Sequence, residues 1–190
     1  LYIFFKKKFI FSKPKRSKFL LYDQGITFNL LMKKTLKAEK DIQVLYARLE
    51  VLNFYVLWKL IVNLKFLNKN TFFYNYLSEY FSLVKPRFVI TSNHYDHKFF
   101  RLREQFKNKT KFILIQTKPA YKHHLSHLKK KFTIDAVFCF DNFSKKIYQK
   151  KFESKFFTIG SFKSNFYPIK KNLKKNGILL ISGFKEDFID

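Results

Sequence analysis

Short runs of β-branched, aromatic and aliphatic residues alternate along this chain with longer stretches at helical spacing, and few folds satisfy that alternation. The runs are Phe19–Tyr22, Ile42–Ala47, Arg87–Asn93, Lys111–Thr117, Ala136–Phe140, Phe156–Ile159 and Ile178–Ser182. Helical stretches separate them at Ile26–Leu36, Val51–Leu67, Thr71–Val84, Lys98–Phe106 and Asn142–Phe152. In Thr71–Val84 the residues Phe73, Tyr76, Leu77, Tyr80, Phe81 and Val84 fall close to one helical face, and Lys85-Pro86 ends the stretch. The order predicts an α/β fold with a Rossmann-like, mainly parallel sheet, and it excludes a helical bundle or an antiparallel barrel.

At 190 residues the chain has room for one well-buried domain and little more. The expected organisation is a basic segment over residues 1–17, the Rossmann-like domain over 18–162, and a linker over 163–176 carrying Pro168 and the charge run Lys170–Lys175. A fresh strand then opens at Gly177 and belongs to a second domain, truncated in this sequence. The first residue is Leu in place of Met, which reads as a missing or misplaced start. Leu1–Phe11 interleaves apolar residues with Lys6-Lys7-Lys8, so it has no continuous apolar region of the secretory kind. Val51–Leu67 is interrupted by Asn53, Lys59, Asn63 and Lys65, too polar to span a bilayer; it suits an amphipathic helix against a core or a membrane surface.

The 39 Lys and Arg against 13 Asp and Glu leave a formal charge of +26. Three readings compete: nucleic acid, an anionic membrane surface or phosphorylated substrates, and a genome rich in AT codons, which favour Lys, Phe, Asn, Ile and Tyr. Arginine is scarce, only Arg16, Arg48, Arg87, Arg101 and Arg103, which argues against specific reading of nucleic acid. The aromatics fall at core spacing and form no base-stacking platform, so what nucleic-acid binding the charge allows is sequence-blind. Cys139, the single cysteine, lies in an apolar run and reads as core; it permits no internal disulfide. Four glycines and no glycine-rich phosphate loop exclude a dinucleotide or ATP site of that type, and no cofactor is expected.

Ligands of an open parallel sheet gather beyond the carboxyl ends of its strands. The residues there are Asp23, Gln24 and Gly25; Thr91–His97; Gln116, Thr117 and Lys118; and Gly160 and Ser161. Asp23 reads equally as a base or hydroxyl-binding group and as a helix cap, and Gly25 as a turn residue. The densest cluster is Asn93, His94, Tyr95, Asp96 and His97, where a His–Asp pair suits proton abstraction from a sugar hydroxyl. The same segment, Ser92–His97, resembles the zinc-binding signature of metallo-β-lactamase-type hydrolases, with Ser92 in place of the first histidine. A solvated loop with a capping aspartate is the third reading. His123, His124 and His127, among lysines, read as a basic loop able to meet phosphate.

Seven pieces taken in order, FLLYDQG (19–25), VLYARL (44–49), KPRFVITS (85–92), KFILIQ (111–116), AVFCF (136–140), FTIGSFKSN (157–165) and GILLISGF (177–184), make the chain resemble the first half of bacterial surface carbohydrate biosynthesis proteins. These are distantly similar to the CDP-glycerol glycerophosphotransferase and polysialyltransferase group of GT-B-type glycosyltransferases. The resemblance implies transfer of a sugar or related group from a nucleotide-activated donor to a glycan or lipid-linked glycan acceptor. It implies a metal-free reaction in a cleft between two domains, the first presenting the acceptor and the second the donor. His94, Asp96 and His97 are then the catalytic candidates, and Asp23, Gln24, Gly25, Asn93, Gln116 and Lys118 the acceptor-binding ones. Gly160 and Ser161 fall on the donor side. The expected location is cytoplasmic, peripheral at the inner face of the cell membrane, with an anionic membrane surface as a further partner.

Overall fold

The computed structural model describes residues 8–22, 25–39, 41–47, 50–63, 69–118, 125 and 128–166. Within them lie β1 (Lys8–Ile10), β2 (Phe19–Tyr22), α1 (Ile26–Thr35), β3 (Ile42–Leu45), β4 (Val51–Asn53), α2 (Phe54–Val62) and α3 (Lys69–Val84). There follow β5 (Phe88–Thr91), α4 (His97–Phe106), β6 (Lys111–Ile115), β7 (Phe132–Cys139), α5 (Asn142–Gln149), β8 (Phe152–Thr158) and a 3-10 turn at Ser164–Phe166. The expected strand Ile178–Ser182 and most of the expected linker lie outside the described residues.

Six strands form one sheet in the order β3-β2-β5-β6-β7-β8, every pair parallel. The fold is α/β and Rossmann-like. The order of strand addition reverses between β2 and β5: β3 is added on one side of β2, and β5 to β8 on the other. That junction is the topological switch point, where the loops at the carboxyl ends diverge and leave a crevice.

Side chains alternate across the sheet. Leu20, Tyr22, Val89, Phe112, Leu114, Val137 and Cys139 enter one core with residues of α2, α3, α4 and α5. Leu21, Ile90 and Ile115 enter the other, with Phe28 and Met32 of α1 and Phe162. The first core is filled by rings: Phe112 packs on Phe99 at 5.2 Å and on Phe81 at 6.0 Å, and Phe100 stacks on Phe132 at 4.3 Å. Cys139 is a buried free thiol, pushed up to about 11 by burial.

Two helical stretches differ from the reading of the sequence, and the end of α3 at Val84 does not. Asn142–Phe152 stops as α5 at Gln149, with Phe152 already in β8. Val51–Leu67 is not helical from its start: Val51–Asn53 forms β4, paired in parallel with β1 in a separate two-stranded sheet. Asn53 then ends the strand and caps α2, its Oδ1 accepting from the Val56 N–H at 3.1 Å. At the end of α3, Lys85 takes φ 50 ahead of Pro86, and its N–H still bonds the Phe81 carbonyl at 2.8 Å. A left-handed residue closes the helix there even without glycine, at a cost of about 1–2 kcal/mol. Among the described residues no helix is long and apolar enough to cross a membrane.

Candidate functional site

A cleft of about 290 Å³ opens at the switch point, lined by Gly25, Thr27 and Phe28 after β2, by Ser92–Tyr95 after β5, by Thr117 and Lys118 after β6, and by Lys163. Each group arrives by a simple route. Parallel strands end on the same edge, so the loops after β2, β5 and β6 converge, and α1 starts at that edge. Gly25, Asn93, His94 and Lys118, singled out in the sequence, thus meet in one place. Asp23 and Gln24 lie outside the described residues, as do His123, His124 and His127.

The N-cap of α1 is Gly25, which offers no side-chain acceptor to the first turn, and that turn holds no acidic residue. Three helices of the opposite face differ. Asn53 caps α2, Asp96 caps α4 through the Lys98 N–H at 2.9 Å, and Asp141 caps α5 through the Ser144 N–H at 2.6 Å. The Asp141 carboxyl is held below the usual carboxylate range by the backbone N–H and then the hydroxyl of Ser144. At α1 the positive end of the helix, Lys118 and Lys163 all face the cleft, a setting that favours an anionic ligand.

His94 is buried on the cleft's inner wall, with Nδ1 3.3 Å from the Tyr148 hydroxyl and its ring edge-on to Tyr95 at 4.7 Å. Burial pushes the Tyr148 phenol well above its ordinary range, so it stays protonated beside the imidazole. Asn93 stays at the mouth, its Oδ1 accepting from the Tyr95 N–H at 3.3 Å.

Asp96 and His97 occupy other places. Both Asp96 oxygens are engaged: Oδ1 caps α4, and Oδ2 accepts the Tyr22 hydroxyl at 2.8 Å. Burial, then the Asp96 charge, pushes the Tyr22 phenol far above its ordinary range. His97 is the first residue of α4 and turns to a different hollow with Phe100, Arg101, Lys130, Lys131 and Phe132. Its ring lies 5.8 Å from Phe132. The sequence cluster is therefore split, and among the described residues no group of three or more His, Cys, Asp or Glu side chains stands together as a metal site.

Gln116 lies beneath the cleft floor. It is 1% exposed, donates from Nε2 to the Lys118 carbonyl at 2.9 Å and to Ser144 at 3.1 Å, and accepts the Phe140 N–H at 2.8 Å. These bonds join the ends of β6 and β7 to α5, so Gln116 shapes the Lys118 loop from below. Gly160 takes φ 72, a conformation that disfavours any side chain although nothing stands within 4 Å of its would-be Cβ. Ser161 receives the Ser164 N–H at 3.3 Å and tightens the following turn. The chain thereby folds back, buries Phe162 against Phe28 at 6.0 Å, and brings Lys163 to the cleft. The first residues of the expected linker thus pack on α1, where Lys34 also lies 5.7 Å from the Phe166 ring. Lys163 was not among the residues expected to matter.

One protein family matches residues 115–189, less than half of the chain; its description is "putative O-antigen biosynthesis protein". The match includes Thr117, Lys118 and Lys163 of the cleft and the turn at Gly160-Ser161, and it supports, at a coarse level, a role in surface-carbohydrate biosynthesis. No curated protein and no solved structure matches the chain.

Proposed function

We propose that the cleft holds the acceptor of a glycosyl transfer in surface-carbohydrate biosynthesis, the described residues forming the acceptor-side domain of a GT-B-type enzyme. The observation that carries this reading is the placement of Lys118, Lys163, His94 and the α1 N-terminus around one cleft at the switch point. A phosphate of a lipid-linked glycan, or the carboxylate of an acidic sugar, suits the cationic side. A hydroxyl of the same molecule then reaches His94.

In the transfer, the acceptor oxygen bonds to the anomeric carbon of the donor, the bond from that carbon to the nucleotide's phosphate breaks, and the hydroxyl proton passes to a base. His94 is the residue proposed for that proton. This needs the tautomer in which Nδ1–H donates to the Tyr148 oxygen, 3.3 Å away, and a shift of the His94 loop on acceptor binding that uncovers Nε2, which is buried in this structure. Asp96 acts as a positioning residue, since it fixes the start of α4 directly after the His94 loop. The donor belongs to a second lobe, met on the Gly160-Ser161 side.

Calorimetric titration tests the assignment. A saccharide 1-phosphate is expected to bind, and Lys118→Ala with Lys163→Ala to abolish measurable binding without lowering the melting temperature. Micromolar, base-selective nucleotide binding at physiological salt would place the donor site here and overturn the acceptor-side assignment.

A further inference from the structure

The outward face of α2 lacks the polar residues that a water-facing helix carries. Val56 and Leu60 point into the core, and the opposite side presents Phe54, Trp58, Ile61 and Val62, with Trp58 57% and Val62 59% exposed. The patch continues onto the segment beside it, where Phe9 and Ile10 are exposed and Phe11 is 71% exposed, its ring 5.4 Å from that of Phe54. Contiguous apolar surface of this kind marks a face that something covers.

The surrounding charge identifies the cover. Residues 8–18 hold Lys8, Lys13, Lys15, Arg16 and Lys18 and no acid, and α2 holds none either. Lys13 lies 5.9 Å from the Tyr55 ring of α2, and Lys13, Lys15, Arg16 and Lys85 line one adjoining hollow. Lys18 pairs with Glu39; among the described residues no carboxylate pairs with Lys8, Lys13, Lys15, Arg16 or Lys85. A second copy of the chain would bring the same cations together at a net charge of +26 each, which opposes self-association through this face. A tryptophan and aliphatic side chains rimmed by lysines have the composition of a helix lying in a membrane interface.

We propose that the outward face of α2, with Phe9–Phe11, docks on an anionic lipid bilayer: Phe54, Trp58, Ile61 and Val62 enter the headgroup region while the flanking Lys and Arg meet acidic headgroups. This docking is independent of the chemistry assigned to the cleft. It requires an apolar contact as well as Coulomb attraction, which separates it from the general stickiness of a basic protein.

Trp58 is the single tryptophan, so its fluorescence reports the patch directly. The full chain is mixed with vesicles of phosphatidylcholine alone, or of phosphatidylcholine with phosphatidylglycerol. A blue shift and quenching by brominated acyl chains are expected with the acidic vesicles only, weakening as salt rises. Ile61→Gln with Val62→Gln, checked for an unchanged circular dichroism spectrum, should lower the affinity at least ~10-fold; Phe11→Ser provides an independent variant outside the helix. Vesicle binding with no change at Trp58, or full affinity in the variants, would reduce the effect to charge alone and overturn the docking. Trp58 emission already blue-shifted without lipid would show another protein surface on the patch, and would also overturn it.

Discussion

The two faces of the central sheet are built differently. One is covered by α2 to α5 over a core of closely packed rings; the other has α1 and the turn after β8, with Phe157 of the edge strand still 45% exposed. The helices of known N-cap on the crowded face begin at Asn or Asp side chains, while α1 begins at a glycine beside the cleft. Stability is concentrated where packing is dense. The opposite face keeps a helix terminus and two lysines turned to the cleft.

Alkaline titration should separate the faces most strongly. Burial raises the phenols of Tyr22, Tyr76, Tyr80 and Tyr148 above the ordinary 10.0, that of Tyr80 to about 12, and all four belong to the crowded core. A raised folded value means that the unfolded chain loses these protons first. Their contribution is therefore intact below pH 10 and lost as pH rises past it, by about 1.4 kcal/mol per pH unit for each phenol involved. Denaturant midpoints that stay flat above pH 10 would contradict this. At fixed pH, Phe112→Ala should cost about 3–5 kcal/mol, and Phe157→Ala on the open face under ~1 kcal/mol. Equal losses in urea would erase the distinction.

Smaller effects refine it. Tyr22→Phe removes a hydrogen bond to a carboxylate and should cost about 1.5–3 kcal/mol in the same assay. Asp96→Asn weakens both the α4 cap and the Tyr22 bond, so melting temperature and any transfer rate should fall together. A rate loss of ~100-fold at an unchanged melting temperature would instead identify Asp96 as a base. Least of all, Lys163→Ala should leave stability within about 0.5 kcal/mol.

The sheet was legible because a parallel strand buried on both faces has nearly continuous apolar sequence, as in Lys111–Ile115 and Phe88–Thr91. The β1–β4 pair was not. Its three-residue strands carry no period, and β4 runs straight into the apolar α2. The strand-end rule located Gly25, Asn93, His94 and Lys118, but adjacency in sequence concealed how they divide. His97 is already the first helical residue, so the α4 backbone turns it away from His94, and Gln116 is buried by bonds to distant partners. Lys163 resembled linker because Pro168 and the lysine run follow it; the usable signal was Gly160-Ser161, a turn that reverses the chain.

The central claim concerns where an anionic acceptor sits, and amide chemical-shift mapping with a saccharide 1-phosphate tests it most directly. The account predicts saturable shifts at Thr27, Phe28, Tyr95, Lys118 and Lys163, abolished by Lys118→Ala with Lys163→Ala. Non-saturable shifts spread over the surface lysines, or saturable ones confined to the hollow around His97, Lys130 and Lys131, would contradict it.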